Sequence, residues 1–159
     1  MMIKDLVSRV AKEFGFRGSG IKLFRISDGV KQRLKLSRST VANYYTLIVD
    51  IRLMRSPVDE SRAYGNLDEG GDFFAEAQHL MGEHLDVWQL ALDGRSDMTD
   101  AEREAHIRRG FEIGIVPLLD CYSSVPQIKA FLLNPVETPR YLRIWLSAYQ
   151  FFGIPRPSM

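Results

Sequence analysis

The sequence predicts an α+β domain: an N-terminal helix, an antiparallel sheet of three to four strands, and a helical second half. Three observations carry that expectation. Apolar residues recur at helical spacing near the N-terminus. The pair Asp28-Gly29 separates two runs of alternating apolar and polar residues. Beyond residue 72, Pro, Gly and capping signals divide the chain into helix-sized pieces.

Ile3, Leu6, Val7, Val10, Ala11 and Phe14 follow the i, i+3, i+4, i+7 pattern, which predicts a helix over residues 2–14. Gly15 ends it, because glycine takes the left-handed cap conformation without a Cβ penalty, and Phe16 is the expected contact beside that cap. Arg17-Gly18-Ser19-Gly20 reads as a flexible turn. Strands are expected over 21–27, 30–36 and 43–54, a sheet spanning about 21–54. Asp28-Gly29 suits a two-residue hairpin whose central positions both need φ > 0. Alternation places Phe24, Ile26, Gln32, Leu34, Leu36, Tyr45, Leu47, Val49, Ile51 and Leu53 on a core face. It places Leu23, Arg25, Lys31, Arg33, Lys35, Tyr44, Ile48, Asp50 and Arg52 on the other, a basic face with some aromatic content.

Residues 55–71, with Pro57, Gly65, Gly70, Gly71 and several acids, read as a loop. The helical half covers about 72–153. Phe73–Met81 reads as a short helix, and 84–92 is open between strand and helix, its alternation favouring a fourth strand. Thr99 with Glu102 three residues on forms a capping box at the start of the next helix, and Pro117 is expected to kink or break it near Ile115. Ser124 caps a shorter helix ending near Leu133-Asn134. Thr138 with Pro139 opens a last one that runs to Phe152 and stops at Gly153.

At 159 residues, with 45% hydrophobic and 11% aromatic content, the chain is one domain in length and needs no staple to hold a core. Its one cysteine, Cys121, cannot form an internal disulfide, which fits a reducing compartment. The N-terminus has no apolar stretch of signal-peptide type, and no apolar run approaches the roughly 18 residues of a membrane span. A cytoplasmic location and no membrane partner are the expectation. The net charge of +1 conceals a split. Residues 1–64 hold 13 Lys+Arg against 6 Asp+Glu, and residues 65–159 hold 8 against 14. Two partner-facing surfaces of opposite sign would give such a split, and so would charges that attract or disperse within one surface.

Catalytic chemistry finds little support. His79 and His84 are five apart, off a common helix face, and His106 is distant, so no metal site is expected. Cys121 follows an apolar helix end and reads as a small hydrophobe rather than a nucleophile. Gly15, Gly18 and Gly20 lie after a helix and before a strand, the reverse of a dinucleotide-binding loop. Asp59-Glu60 and Asp68-Glu69 lie in a polar stretch with no apolar pocket to separate their pKa values. No catalytic residue, metal or cofactor is therefore assigned. The basic face could hold single-stranded nucleic acid, yet Lys at alternate positions also protects sheet edges from aggregation. Trp145, Tyr149, Phe151 and Phe152 exceed what one helix face needs, which suits either core packing or a dimer or partner-binding groove.

The order of these features resembles a family of small bacterial proteins classed as a domain of unknown function. In those proteins a helix ending in Gly-Phe leads into an antiparallel meander, and a later helix carries a Pro-Leu-Leu-Asp-like segment. Here the matching pieces are Gly15-Phe16, the strands of 21–53, the Trp88 segment and Pro117-Leu118-Leu119-Asp120. The resemblance covers about residues 1–133, and its motifs are packing and turn residues. The Asp59–Gly71 loop and the final helix are additions to it. Some members resemble immunity proteins of bacterial toxin systems, which bind and block a toxin. The resemblance thus implies a non-catalytic protein that binds a cognate toxin.

Two surfaces are candidates for such a partner. The first is the acidic group Asp59, Glu60, Asp68, Glu69 and Asp72, suited to a basic cleft. The second is the basic face of Arg25, Lys31, Arg33, Lys35, Tyr44 and Arg52, which also carries the alternative of a nucleic-acid or nucleotide-binding module.

Overall fold

The computed structural model describes residues 1–55, 71–134 and 141–157. Helix α1 (Ile3–Glu13) buries Ile3, Leu6, Val7, Val10 and Ala11, the predicted stripe. Each fully buried large aliphatic side chain contributes about 1.5–3 kcal/mol, so this stripe anchors the helix despite its short length. Its end is a double-bonded glycine cap: Gly15 takes φ 88°, its N–H donates to the Lys12 carbonyl, and the Phe16 N–H donates to the Ala11 carbonyl. Phe16 is buried beside it.

Among the described residues the sheet has six strands, all antiparallel, in the order β1-β2-β3-β4-β5-β6. They are β1 (Arg17–Ser19), β2 (Lys22–Ser27), β3 (Val30–Arg38), β4 (Tyr45–Leu53), β5 (Phe73–Glu76) and β6 (Arg143–Ile144). The α+β class is as the sequence predicts, with more strands. Arg17–Ser19 is a strand rather than a flexible turn. Gly18 fits there because a Cβ would lie 2.5 Å from the Lys22 carbonyl oxygen. Phe73–Glu76 pairs with β4 and is strand rather than helix, and the expected helix shrinks to a 3-10 turn over Ala77–Leu80. The long β4 offers unpaired backbone groups along that side, and β5 satisfies them.

Asp28 and Gly29 take φ 40° and 81°, the predicted hairpin turn. The turn places Ser27 opposite Val30, and so Ile26 opposite Lys31, Arg25 opposite Gln32 and Leu23 opposite Leu34. The sequence assignment of β2 is therefore inverted. Leu23 and Arg25 are on the core face, and Phe24 and Ile26 share the outer face with Lys31, Arg33 and Lys35. A two-residue turn fixes this parity, and it overrides the apolar pattern of β2 taken alone.

The second half supplies α2 (Leu85–Ala91), α3 (Asp100–Gly110), α4 (Val116–Cys121), α5 (Val125–Leu133) and α6 (Leu146–Phe152). Residues 85–91 are helical, not the expected strand: Trp88, Ala91 and Leu92 are buried at i, i+3 and i+4. Thr99 and Glu102 form the reciprocal capping box of α3. Between α3 and α4 the chain makes a π turn, Phe111–Ile115. Pro117 has no N–H to return to the Ile113 carbonyl, so the helix widens there rather than stopping. Ser124 caps α5 as expected. The predicted start of the final helix at Thr138-Pro139 lies outside the described residues; within them residues 143–144 pair with β5, and α6 begins only at Leu146. It ends at Gly153 with φ 65°. α1, the helices of the second half and the inner face of the sheet meet in one apolar cluster that includes Leu34, Val49, Phe73, Trp88, Phe111 and Leu119. No helix among the described residues is long and apolar enough to cross a membrane.

Candidate functional site

The basic residues singled out from the sequence do not form one open face. Lys31 and Arg33 are on the outer face but only 2% and 3% exposed. Arg33 pairs with Asp50 across β3 and β4, where the two are direct register partners. Burial raises the Asp50 carboxyl above its usual range, against the opposing pull of the Arg33 guanidinium. Lys35 and Arg52 are half-buried on the same face. Arg25 is on the opposite face. It donates to Gln32 Oε1 (2.5 Å), the Phe14 carbonyl (3.1 Å) and Asp120 (3.2 Å), and lies over the Phe16 ring. Gln32 in turn donates to the Leu119 and Tyr122 carbonyls, at 2.6 and 3.0 Å. This chain ties β2 and β3 to the end of α4. Tyr44 lies at the far end of β4, six residues and about 20 Å along the strand from Asp50, bridged to Asp93 and stacked by Arg95.

Of the acidic set, Asp59, Glu60, Asp68 and Glu69 lie outside the described residues. Asp72 does not offer a surface charge: it is 1% exposed. Its carboxylate accepts from the Leu53 N–H (2.8 Å), from Arg55 twice (3.0 and 2.6 Å) and from the Ser147 hydroxyl (2.6 Å). Its carbonyl accepts from the Trp145 N–H at 3.0 Å. Asp72 therefore fixes the entry into α6. Its N–H donates to the Ile51 carbonyl (2.8 Å), which holds it just before β5 and beside that entry, and neither fact is visible in a glycine-rich acidic stretch of sequence.

What Asp72 fixes is itself exposed. Trp145 and Leu146 are 52% and 47% exposed, while Ala148 and Tyr149, further along α6, are buried in the core. Tyr141 and Leu133 are also exposed. Arg55 stacks on Phe151 behind this corner, 5.4 Å from the ring centroid. The aromatic excess noted in the sequence thus divides: Tyr149 packs inward, and Trp145 faces solvent.

Tyr141 also lines an open groove of about 740 Å³ between α4 and α5. Ile113, Pro117, Leu118 and Phe131 form its apolar wall, and Cys121 and Tyr122 lie at the end of α4. Tyr122 is held between Phe73 and Phe131, and burial pushes its phenol well above the usual tyrosine range. Sequence reasoning passed over this groove, because its lining also draws on Leu80 and Tyr141, which no motif links to these helices. Among the described residues no three His, Cys, Asp or Glu side chains gather as metal ligands. No protein-family model, curated protein or solved structure matches the chain.

Proposed function

We propose that this chain is a cytosolic, non-catalytic binding protein that holds a protein partner against the corner at the start of α6. The immunity function implied by the resemblance in sequence is the specific form of this reading: the partner is a bacterial toxin, and its active site is occluded on docking. The observation that carries the proposal is Trp145, half exposed beside an equally exposed Leu146 on a backbone fixed by Asp72. Tryptophan is the side chain most enriched at interface hot spots, and a rigid backbone lowers the entropy lost on docking. The buried charges support the same reading. Asp72, Asp50 and Arg33 are engaged within the fold, as is Arg103, which donates to the Leu90, Ala91, Asp93 and Met98 carbonyls. The alternative of a nucleic-acid surface has less support, since Lys31 and Arg33 are buried.

The test is co-expression with the polypeptide encoded beside this gene, followed by calorimetry on the purified complex. Trp145→Ala is expected to weaken binding by about 2 kcal/mol, roughly thirtyfold, with the melting temperature nearly unchanged. Failure to form any complex would count against immunity. Full affinity in Trp145→Ala would remove this corner from the interface.

A further inference from the structure

We infer that His84 and His106 form a two-imidazole site for a divalent transition-metal ion of the zinc type, which ties the start of α2 to α3. The inference is independent of the partner reading, since it uses no residue of the corner at α6.

The pair is made by the fold. The two residues are 22 positions apart in the chain, yet their ring centroids are 5.8 Å apart, with the planes inclined at 46°. His84 ends a 3-10 turn, Gly82–His84, that leads directly into α2. His106 lies in the second half of α3. Met81, Trp88 and Ile107, close to them in the chain, are buried, so the core holds both backbones. The two histidines are themselves only half-buried, which leaves the rings accessible to an ion.

Their spacing suits a shared ion. With a metal–nitrogen bond of about 2.1 Å, the ion lies about 3.2 Å from the centre of each ring, and two rings at a tetrahedral angle have centres about 5.2 Å apart. The observed spacing is wider by about 0.6 Å. A small rotation of the His106 ring closes that difference, and no hydrogen bond among the described residues holds the ring in place.

His84 is already oriented as a ligand. Its Nε2 donates to the His106 carbonyl at 2.9 Å. A carbonyl only accepts, so Nε2 carries a proton, and Nδ1 is the lone-pair nitrogen of the neutral ring. Histidines that bind metals almost always donate their second N–H in this way, which fixes tautomer and orientation before the ion arrives. The backbone of His106 thus positions one ligand, and its side chain supplies the other.

The donors set the class of ion. Imidazole suits Zn²⁺, Ni²⁺ and Cu²⁺, whereas Mg²⁺ and Ca²⁺ take oxygen ligands. Glu102 lies one turn before His106 on the same side of α3. Its carboxylate accepts from the Thr99 N–H in the capping box, so it contributes negative field rather than a ligand. Arg109, three residues after His106, is paired with Glu112 at 3.6 Å. Water fills the remaining coordination positions.

The test uses the full chain without an affinity tag, stripped of metal with EDTA and dialysed. ZnCl₂ and, separately, MgCl₂ are titrated in by calorimetry, and amide shifts of the ¹⁵N-labelled chain are followed. Zn²⁺ is expected to bind saturably at one ion per chain, with shifts centred on residues 82–86 and 102–109, and Mg²⁺ to give neither. His106→Ala removes a ring that no hydrogen bond among the described residues engages. It is expected to keep the metal-free melting temperature and to weaken Zn²⁺ at least about tenfold. His84→Ala is expected to weaken Zn²⁺ as much. His79→Ala, at an exposed histidine outside the pair, is expected to leave the affinity unchanged. Zn²⁺ is also expected to raise the melting temperature of the unaltered chain and not that of His106→Ala. No saturable Zn²⁺ binding would overturn the inference. So would full affinity in His106→Ala, or a loss in His79→Ala as large as that in His106→Ala.

Discussion

Asp72 shows how far a residue's role can depart from its composition. An acid beside two glycines suggests a solvated loop charge, yet the carboxylate is buried under four donors. Removing it leaves the Leu53 N–H and the Ser147 hydroxyl without a partner. Arg55 is about one-third exposed and recovers part of its solvation from water. Asp72→Ala is therefore expected to cost about 2–3 kcal/mol in urea unfolding, less than the full penalty for breaking a buried pair. A loss below about 0.5 kcal/mol would show that the clasp contributes little. Arg25 makes the complementary point. Its charge is used inside the fold, bridging the end of α1, β3 and α4, because the hairpin parity turns it away from the other cations.

At the scale of elements, local chemistry was legible wherever backbone geometry decided the outcome. The Gly15 cap, the Asp28-Gly29 turn, the Thr99–Glu102 box and the Ser124 cap all formed where the sequence placed them. Short elements set by pairing were not. Residues 73–76 and 143–144 are strands because β4 and then β5 had an edge to fill. Helix α3 adds a test in which two effects oppose each other. Gly110 would place a Cβ 2.4 Å from the Trp88 ring and 3.1 Å from the Met81 sulfur. Alanine favours a helix over glycine by about 1 kcal/mol, but Trp88 is fully buried and has little room to move. Overpacking costs about 1–3 kcal/mol, so Gly110→Ala is expected to lower stability by about 1 kcal/mol and lower the melting temperature. A rise in melting temperature would mean that Trp88 repacks freely.

For the whole molecule, α1, the sheet and the later helices share one apolar cluster. Such a core unfolds as a unit. Far-ultraviolet circular dichroism and tryptophan fluorescence are expected to report one coincident urea transition. Among the described residues the partners of Asp72 (Leu53, Arg55, Ser147) and the neighbours of Gly110 (Trp88, Met81) are distinct, so the losses from Asp72→Ala and Gly110→Ala are expected to add within about 0.5 kcal/mol in the double variant. Two separate transitions would divide the chain into independent units. The charge split between the halves has its physical meaning at this scale too. Arg108 pairs with Glu13, Arg9 with Glu104, and Arg25 with Asp120, so charges of the two halves meet across the interface of α1 and β2 with α3 and α4.

By itself the sequence determined the α+β class, the N-terminal helix, its glycine stop, the first hairpin and the start of α3. Each depends on groups a few residues apart, where spacing and backbone preference suffice. The tertiary structure alone decided that β5 and β6 exist, that Lys31, Arg33 and Asp72 are buried, that Trp145 is exposed, and that a groove opens between α4 and α5. Those outcomes depend on which strand edge remains unpaired and which helix packs beside another. Both are properties of contacts between residues far apart in the chain, and no local pattern encodes them.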